Sequence, residues 1–378
     1  MNKTLMCIAT SSLMSLPALS HADSPYFSLK DGDGFKRFSV SAGWLHAMPQ
    51  GKANPVKANT AVAGGSYAVG DVNLDTVSNA IAKTPEGEKA KEKLNSVASI
   101  GKIVGLVKDN ILTADMTGKA QIHSLESWDN PGTGMEAEDV DTLGIMMNYN
   151  FTDNLSLEIK AGIPPKVNIK GKGQISAPIV GIATPEGNVG GILGPIANPL
   201  INGVGDIPLD AQLPITDISQ GGNAATATAW LPAAEIHYQF GKSGVNKFRP
   251  YVGVGVMYAY FDNVKLNSGI KSDLITAGHM IQNVLDGKAG AALEKKISSA
   301  DPRVKVKAED VFAPIATIGA TYDINENWFA VGSVSYAKMN SDAKITVSDQ
   351  NTGKELINAT TKIDIDPVIT YVGVGYRF

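Results

Sequence analysis

Hydrophobic and polar residues alternate with a period of two in eight separate stretches of this chain, and no other structural signal in it is as regular. The stretches cover about 35–48, 138–151, 154–168, 225–240, 247–261, 310–323, 327–345 and 360–378. Each contains the roughly ten residues that a tilted strand needs to cross a bilayer. An even set of antiparallel strands can close on itself, which removes the unpaired edges that hydrocarbon does not tolerate. The predicted fold class is therefore all-β: an eight-stranded antiparallel transmembrane β-barrel.

The connectors sharpen that picture. Thr152-Asp153, Gly241–Asn246 and Ile324–Glu326 are short, whereas the segments at about 49–137, 169–224 and 262–309 are long and a modest hairpin covers about 346–359. Short turns on one side and long loops on the other place the turns in the periplasm and the loops outside the cell. In the last stretch Phe378, Tyr376, Val374, Val372, Thr370 and Val368 share one face, which is predicted to meet lipid. Trp328, Tyr149, Phe151, Tyr238 and Phe240 lie beside the short turns as an interfacial girdle. A soluble β-sandwich also alternates, but it does not explain the unequal connectors.

Two long loops change period. Glu86–Asn110, following Pro85, and Ser272–Ile297 space their apolar residues as helices do, so each has a face to bury over the barrel mouth or against a partner. Ile175–Ile218, rich in Gly, Pro, Ile and Leu, is too apolar for a disordered linker and is predicted to be a packed, irregular cap or an apolar funnel.

Composition mainly removes alternatives. Lys3, the apolar stretch Leu5–Leu19 and Ser20-His21-Ala22 form a secretory signal pattern, giving an expected signal peptide at 1–22 and a mature barrel at 23–378. Cys7, the single cysteine, falls inside that signal, so neither a disulfide nor a thiol nucleophile is expected in the mature chain. A net charge of -4 without a basic stripe argues against nucleic acid as a partner. His46, His123, His237 and His279 show no metal-ligand spacing and no nucleophile-elbow motif is present, so no cofactor, no metal and no enzymatic activity are expected. Asp31 and Asp33 echo part of a calcium loop without its remaining ligands, and Glu136, Glu138, Asp139, Asp364 and Asp366 are read as solvated charge at a loop rim.

Several barrel stretches resemble the OmpW family of small outer-membrane barrels. The resemblance is carried by DTLGIMMNYNFTDNLSLEIKAGIPPKV from Asp141, WLPAAEIHYQF from Trp230, KFRPYVGVGVMYAYF from Lys247 and IDPVITYVGVGYRF from Ile365. It covers the barrel but not the loops, which are much longer than is usual in the family. It implies a bacterial outer-membrane location, lipid and lipopolysaccharide as surroundings, and admission of hydrophobic compounds from outside with sideways release into the membrane.

The inward rows can be read independently of that resemblance. Near the periplasmic turns they carry Arg37, Glu158, Lys160, Glu235, His237, Arg249 and Arg377, together with Asn148, Asn150 and Gln239. Charges of both signs in a barrel just wide enough for its own side chains predict a closed floor. Higher up, Leu45, Gly162, Pro164, Leu231, Met257, Phe261 and Ile369 predict an apolar substrate path. Pro164, Pro165 and Pro232 remove ladder donors at similar height on neighbouring strands, which either makes a lateral gate or ends the strands there. The expected function is passive uptake of small hydrophobic molecules by a monomer. The alternative is a barrel that anchors loops for adhesion, phage or envelope-partner binding.

Overall fold

In the strands of this chain, branched and aromatic side chains alternate with small or polar ones, so the two faces of each strand need different surroundings. Closing the sheet satisfies both at once and leaves no edge. The computed structural model describes residues 36–378; the signal predicted at 1–22, Cys7, Asp31 and Asp33 lie outside them. Eight strands close the barrel: β1 (Phe38–Met48), β2 (Val140–Asn150), β3 (Leu155–Gly162), β4 (Ala233–Gln239), β5 (Phe248–Leu266), β6 (Val311–Asp323), β7 (Trp328–Ala337) and β8 (Val368–Arg377). Each pairs antiparallel with the next, and β8 returns to β1 in the register Ser41↔Gly375 and Leu45↔Tyr371. No helix among the described residues is long and apolar enough to cross a membrane.

The outward rows are those the alternation predicts. Val252, Val254, Val256, Ile318, Val372 and Val374 are exposed between two rings of aromatics. Tyr149, Phe151, Tyr238, Phe240, Trp328 and Phe378 form the periplasmic ring, and Trp44, Trp230, Tyr260, Phe312 and Tyr336 the outer one. On β6 the rings are about ten residues apart; at ~3.3 Å per residue and a tilt of ~40° that is roughly 25 Å, the height of a barrel's apolar band.

Four predicted strand boundaries change. The stretch 154–168 breaks after Gly162 and resumes as Lys166–Lys172, and 225–240 is Ala225–Trp230 followed by β4. Likewise β7 ends at Ala337 before a separate strand Asn340–Asp349, and Glu355–Asp364 precedes β8. Face parity is kept across three of these breaks, which is why alternation alone ran the pieces together; across Gly162–Lys166 it inverts, with Glu158 and Lys160 inward below the break and Val167 and Ile169 inward above it. At the last of them Asp366 takes φ +40° and its Oδ1 accepts from the Met339 N–H at 2.8 Å.

Outside the membrane the four connectors fold into one canopy. A four-stranded sheet orders Ile207–Asp217, Gln174–Thr184, Lys119–His123 and Gly65–Ala68, and a five-stranded sheet orders Pro302–Ala308, Asn340–Asp349, Glu355–Asp364, Val56–Thr60 and Ser127–Asn130. The expected irregular cap at 175–218 is thus corrected: it is mostly a long hairpin, Ala177 opposite Leu213 and Gly181 opposite Leu209, around the helix Gly194–Asn202. Its Gly and Pro residues sit in the connection and at strand positions that the alternation does not mark. Of the predicted helices, α1 is Pro85–Ile103, capped by the Thr84 side chain on the Gly87 N–H at 3.1 Å, with Pro85 in the first turn. The other, α2, is Ser268–Leu285, capped by Asn267 and followed by the short helix Ala289–Leu293. Leu94 and Ala98 of α1 and Leu274, Ala277 and Ile281 of α2 enter a hydrophobic core shared with both canopy sheets and continuous with the upper barrel.

Candidate functional site

The lumen is closed near its periplasmic end by a buried polar network. Lys160 Nζ lies 2.5 Å from Glu235 Oε1 and 3.8 Å from Glu158 Oε1, and it donates to Thr317 Oγ1 at 2.8 Å and Ser335 Oγ at 3.0 Å. His237 Nε2 sits 3.2 Å from Glu235 Oε2 and 3.7 Å from Glu158 Oε1, and Asn148 donates to Glu158 Oε2 at 2.8 Å. Two carboxylates therefore share one lysine and one histidine inside a barrel that admits no wider set of side chains. Such charges remain in an interior only when paired and hydrogen-bonded, as these are.

Aromatic rings fill the space around the network. His237 stacks on Tyr251 at 4.9 Å between ring centroids, and Tyr371 donates to Ser41 Oγ at 3.1 Å. The rings lie flat because the inward positions beside them are glycine: a Cβ on Gly253 would stand 2.1 Å from His237 Cδ2, and one on Gly375 2.2 Å from Phe329 Cζ. Tyr251, Tyr371, Phe329, Thr317 and Ser335 were not among the predicted floor residues. Their signal was available in the inward parity of β5 to β8 and in the Gly-x-Gly spacing of Gly253-Val254-Gly255 and Gly373-Val374-Gly375.

The expected charge cluster is divided among four places. Glu158, Lys160, Glu235 and His237 meet as described. Arg249, though buried, holds the periplasmic turns, donating to Asp153 O at 2.6 Å and Ser243 Oγ at 2.7 Å. Arg377 pairs with Asp323 at 2.6 Å and lies over the Phe329 ring at 4.3 Å. Arg37 is exposed at the periplasmic rim, where Nη1 donates to Phe151 O at 3.2 Å, and is not part of the floor. A long side chain at a strand end reaches the nearest turn carbonyls, so face parity does not fix where its charge goes.

Above the floor the lumen is apolar. Met257 and Ile369 are buried in the core that reaches up into the canopy, and Leu45, Leu231 and Phe261 pack against it. Phe261 also lines a cavity of about 50 Å³ at the barrel mouth, together with Ile345, Ile363 and Ile365. The wall beside this shaft is interrupted. β3 and β4 pair from Leu155↔Tyr238 to Lys160↔Ala233, and pairing resumes only at Lys166↔Thr228 and Val167↔Ala227. Between these points the chains share a single bond, from the Ala229 N–H to Pro165 O at 3.0 Å. Pro164, Pro165 and Pro232 all fall in the interruption, as do Gly162 and Leu231. β3 ends at Gly162 and β4 begins at Ala233, but the sheet resumes beyond them, where the upper part of β5 carries Ala225–Trp230, Lys166–Lys172 and Gly134–Ala137 onward as a continued wall. The result is a slot with ladder above and below it, bordered on the lipid side by exposed Ile163 and Trp230.

The remaining polar candidates are tied into local structure. His46 Nδ1 lies 2.9 Å from Asp141, which also accepts from Trp44 at 2.8 Å, and His279 Nδ1 contacts Ser298 Oγ at 3.0 Å. His123 is exposed. At the loop rim Lys170 pairs with Glu138 at 2.6 Å, and with Asn168 it holds that carboxyl below its ordinary value. Asp366 pairs with Lys338 and Asp364 with Lys362. No group of three or more His, Cys, Asp or Glu side chains suited to a metal occurs among the described residues.

A closed antiparallel barrel with an apolar exterior between two aromatic rings, and with short turns on one side only, defines a bacterial outer-membrane protein. The resemblance to the OmpW family stands beside it: the profile described as "OmpW family" matches residues 293–378, the last strands and part of the canopy. The chain is 24% identical over 236 residues to Outer membrane protein W of Vibrio cholerae, covering 62% of this chain and 73% of that protein. It is 25% identical over 158 residues to Outer membrane protein W of Salmonella typhi, covering 42% of this chain and 57% of that protein. Among solved structures, OprG from Pseudomonas aeruginosa superposes with a TM-score of 0.46 at 15% identity, over 92% of this chain and 99% of that one.

Proposed function

We propose that this protein is a passive conduit that admits small hydrophobic molecules from outside into the apolar upper lumen and releases them sideways, between β3 and β4, into the outer membrane. The observation that supports the reading is the interrupted ladder: the apolar upper lumen, blocked below by buried ion pairs, is flanked by a wall held between β3 and β4 by a single backbone bond over that stretch. A solute that gains nothing from water follows the apolar surface, and the floor offers it no continuation. Backbone groups left unpaired at a slot are costly in hydrocarbon unless they line a cavity. The three prolines lower that cost by having no N–H to leave unmet.

The test is uptake of a radiolabelled medium-chain alkane and of a small hydrophilic sugar by cells with and without the gene. Faster entry of the alkane alone is expected. Restoring donors with Pro164→Ala, Pro165→Ala and Pro232→Ala together should let the ladder close and slow alkane entry severalfold while the barrel still folds; unchanged uptake would refute the sideways exit. A second reading, a barrel that displays its loops to a partner, is favoured by the exposed apolar ridge of Ile103, Ile192 and Ile196 on the canopy. Equal uptake of both solutes with and without the gene would select it.

A further inference from the structure

We infer that the canopy contains a binding site of its own: a dry apolar chamber for one small hydrocarbon, a single aromatic ring or an alkyl chain of similar size, placed in series above the barrel shaft. Its place on a transport route rests on the conduit reading; its capacity to bind does not.

Protein interiors leave few voids larger than a water molecule. Here a cavity of about 110 Å³ opens at the centre of the canopy core. It exists because small side chains converge from every side: Ala120 and Ala177 from the four-stranded sheet, Ala359 from the five-stranded sheet, Ala277 from α2 and Ala292 from the short helix after it. All five are buried. The packing is therefore a preformed void between rigid elements and not a fold in a loose loop.

Nothing in the lining asks for water. The hydroxyls of Thr60 and Thr117 donate to Leu125 O at 2.6 Å and Gly70 O at 2.9 Å, and the Trp128 indole N–H donates to Ser176 O at 2.8 Å. A buried water needs two to four polar partners, and an apolar cavity of ~150 Å³ in an engineered protein stays dry and takes up benzene. The chamber here is slightly smaller, and Met116 and Met280 in its wall are flexible enough to adjust. A ring of about six carbons fits these limits; a ligand that must keep a hydrogen bond does not.

The chamber is aligned with the shaft. One face of the strand Glu355–Asp364 presents Ile357 and Ala359 to the chamber and Ile363 to the cavity at the barrel mouth. Thr361 stands between them on the same face, buried, its hydroxyl donating to Asn54 O at 2.9 Å. The same inward row continues through Ile365 and Ile369 to Tyr371 at the floor. Thr361 is thus the partition between two apolar spaces on one path.

Trp128 lines the chamber, whereas Trp44, Trp230 and Trp328 are exposed on the barrel exterior. The experiment uses the full chain in lipid nanodiscs with those three changed to Phe, and follows quenching of Trp128 by iodobenzene. Saturable quenching is expected, with Ala277→Leu and Ala292→Leu each weakening the apparent affinity roughly tenfold, a change worth about 1.4 kcal/mol. Heat-dependent gel mobility verifies that both variants keep the folded barrel. Quenching that rises linearly with probe, or saturable quenching that neither filled variant alters, overturns the chamber. Because binding is read on purified protein, the two proposals fail separately. Absent binding with intact uptake rejects the chamber alone, and saturable binding in a protein that imports no hydrocarbon supports the chamber and rejects the conduit.

Discussion

Replacing Lys160 with methionine tests whether the floor is held by its ion pairs or by packing around them. The Lys160 side chain is 9% exposed and its ammonium touches Glu235, Glu158, Thr317 and Ser335. Methionine fills much of the same volume, so the change is chiefly loss of the cation. Glu158 and Glu235 then keep only His237 and neutral partners such as Asn148, and at least one negative charge is left uncompensated inside the barrel. Breaking a buried pair in this way costs about 3–5 kcal/mol, a large part of the ~5–15 kcal/mol that stabilises a typical domain. Urea titration of protein folded in phospholipid vesicles, followed by tryptophan emission and gel mobility, reads the loss. Lys338→Met is the control, because Lys338 pairs with Asp366 where its side chain is 63% exposed; its midpoint should stay close to that of the unaltered protein. Adding Glu235→Gln to Lys160→Met should recover part of the loss, since the orphaned charge goes with it. A Lys160→Met protein within about 1 kcal/mol of the unaltered one, or a double variant weaker than the sum of both single variants, would refute the reasoning.

Two further outcomes follow from the placement of other residues. Val254, 66% exposed on the middle of β5, meets lipid, so Val254→Arg should cost about 2–4 kcal/mol of folding into vesicles. Ile103→Arg on the canopy, at 86% exposure, meets water and should leave vesicle folding unchanged; equal effects would contradict the assignment of the lipid band. Asp349 accepts from the Thr352 hydroxyl and from the N–H groups of Asp301 and Asn351, which hold its carboxyl below the ordinary aspartate value. Its contribution to the canopy is therefore complete above about pH 4 and lost as pH falls through the lowered value. Amide exchange at 351–353, corrected for the intrinsic rate, should accelerate below that point, and Asp349→Asn should remove the pH dependence.

What could be read from the sequence was what depends on local periodicity. Period-two alternation placed the eight crossings, and the inward and outward rows followed, because a strand's side chains alternate whatever it pairs with. Short connectors beside Trp328, Tyr149 and Tyr238 fixed which end faces the periplasm, and the prolines at 164, 165 and 232 marked the height of the slot. The helical spacing in two loops was legible for the same reason.

Tertiary structure decided whatever depended on who meets whom across the barrel or above it. Arg37, Arg249 and Arg377 share a lumen-side or strand-end position with Lys160, yet they end in other places because long side chains find the nearest carbonyl or carboxylate in space. Asp323 of β6 meets Arg377 of β8, two strands away, and nothing local marks the pairing. The slot required knowing that Lys166–Lys172 and Ala225–Trp230 pair again beyond the prolines. The canopy is the clearest case: the void between Ala120, Ala177, Ala277, Ala292 and Ala359 is a sum of small volumes from separate loops. No periodicity in a single segment records a space that exists only where several segments fail to fill it.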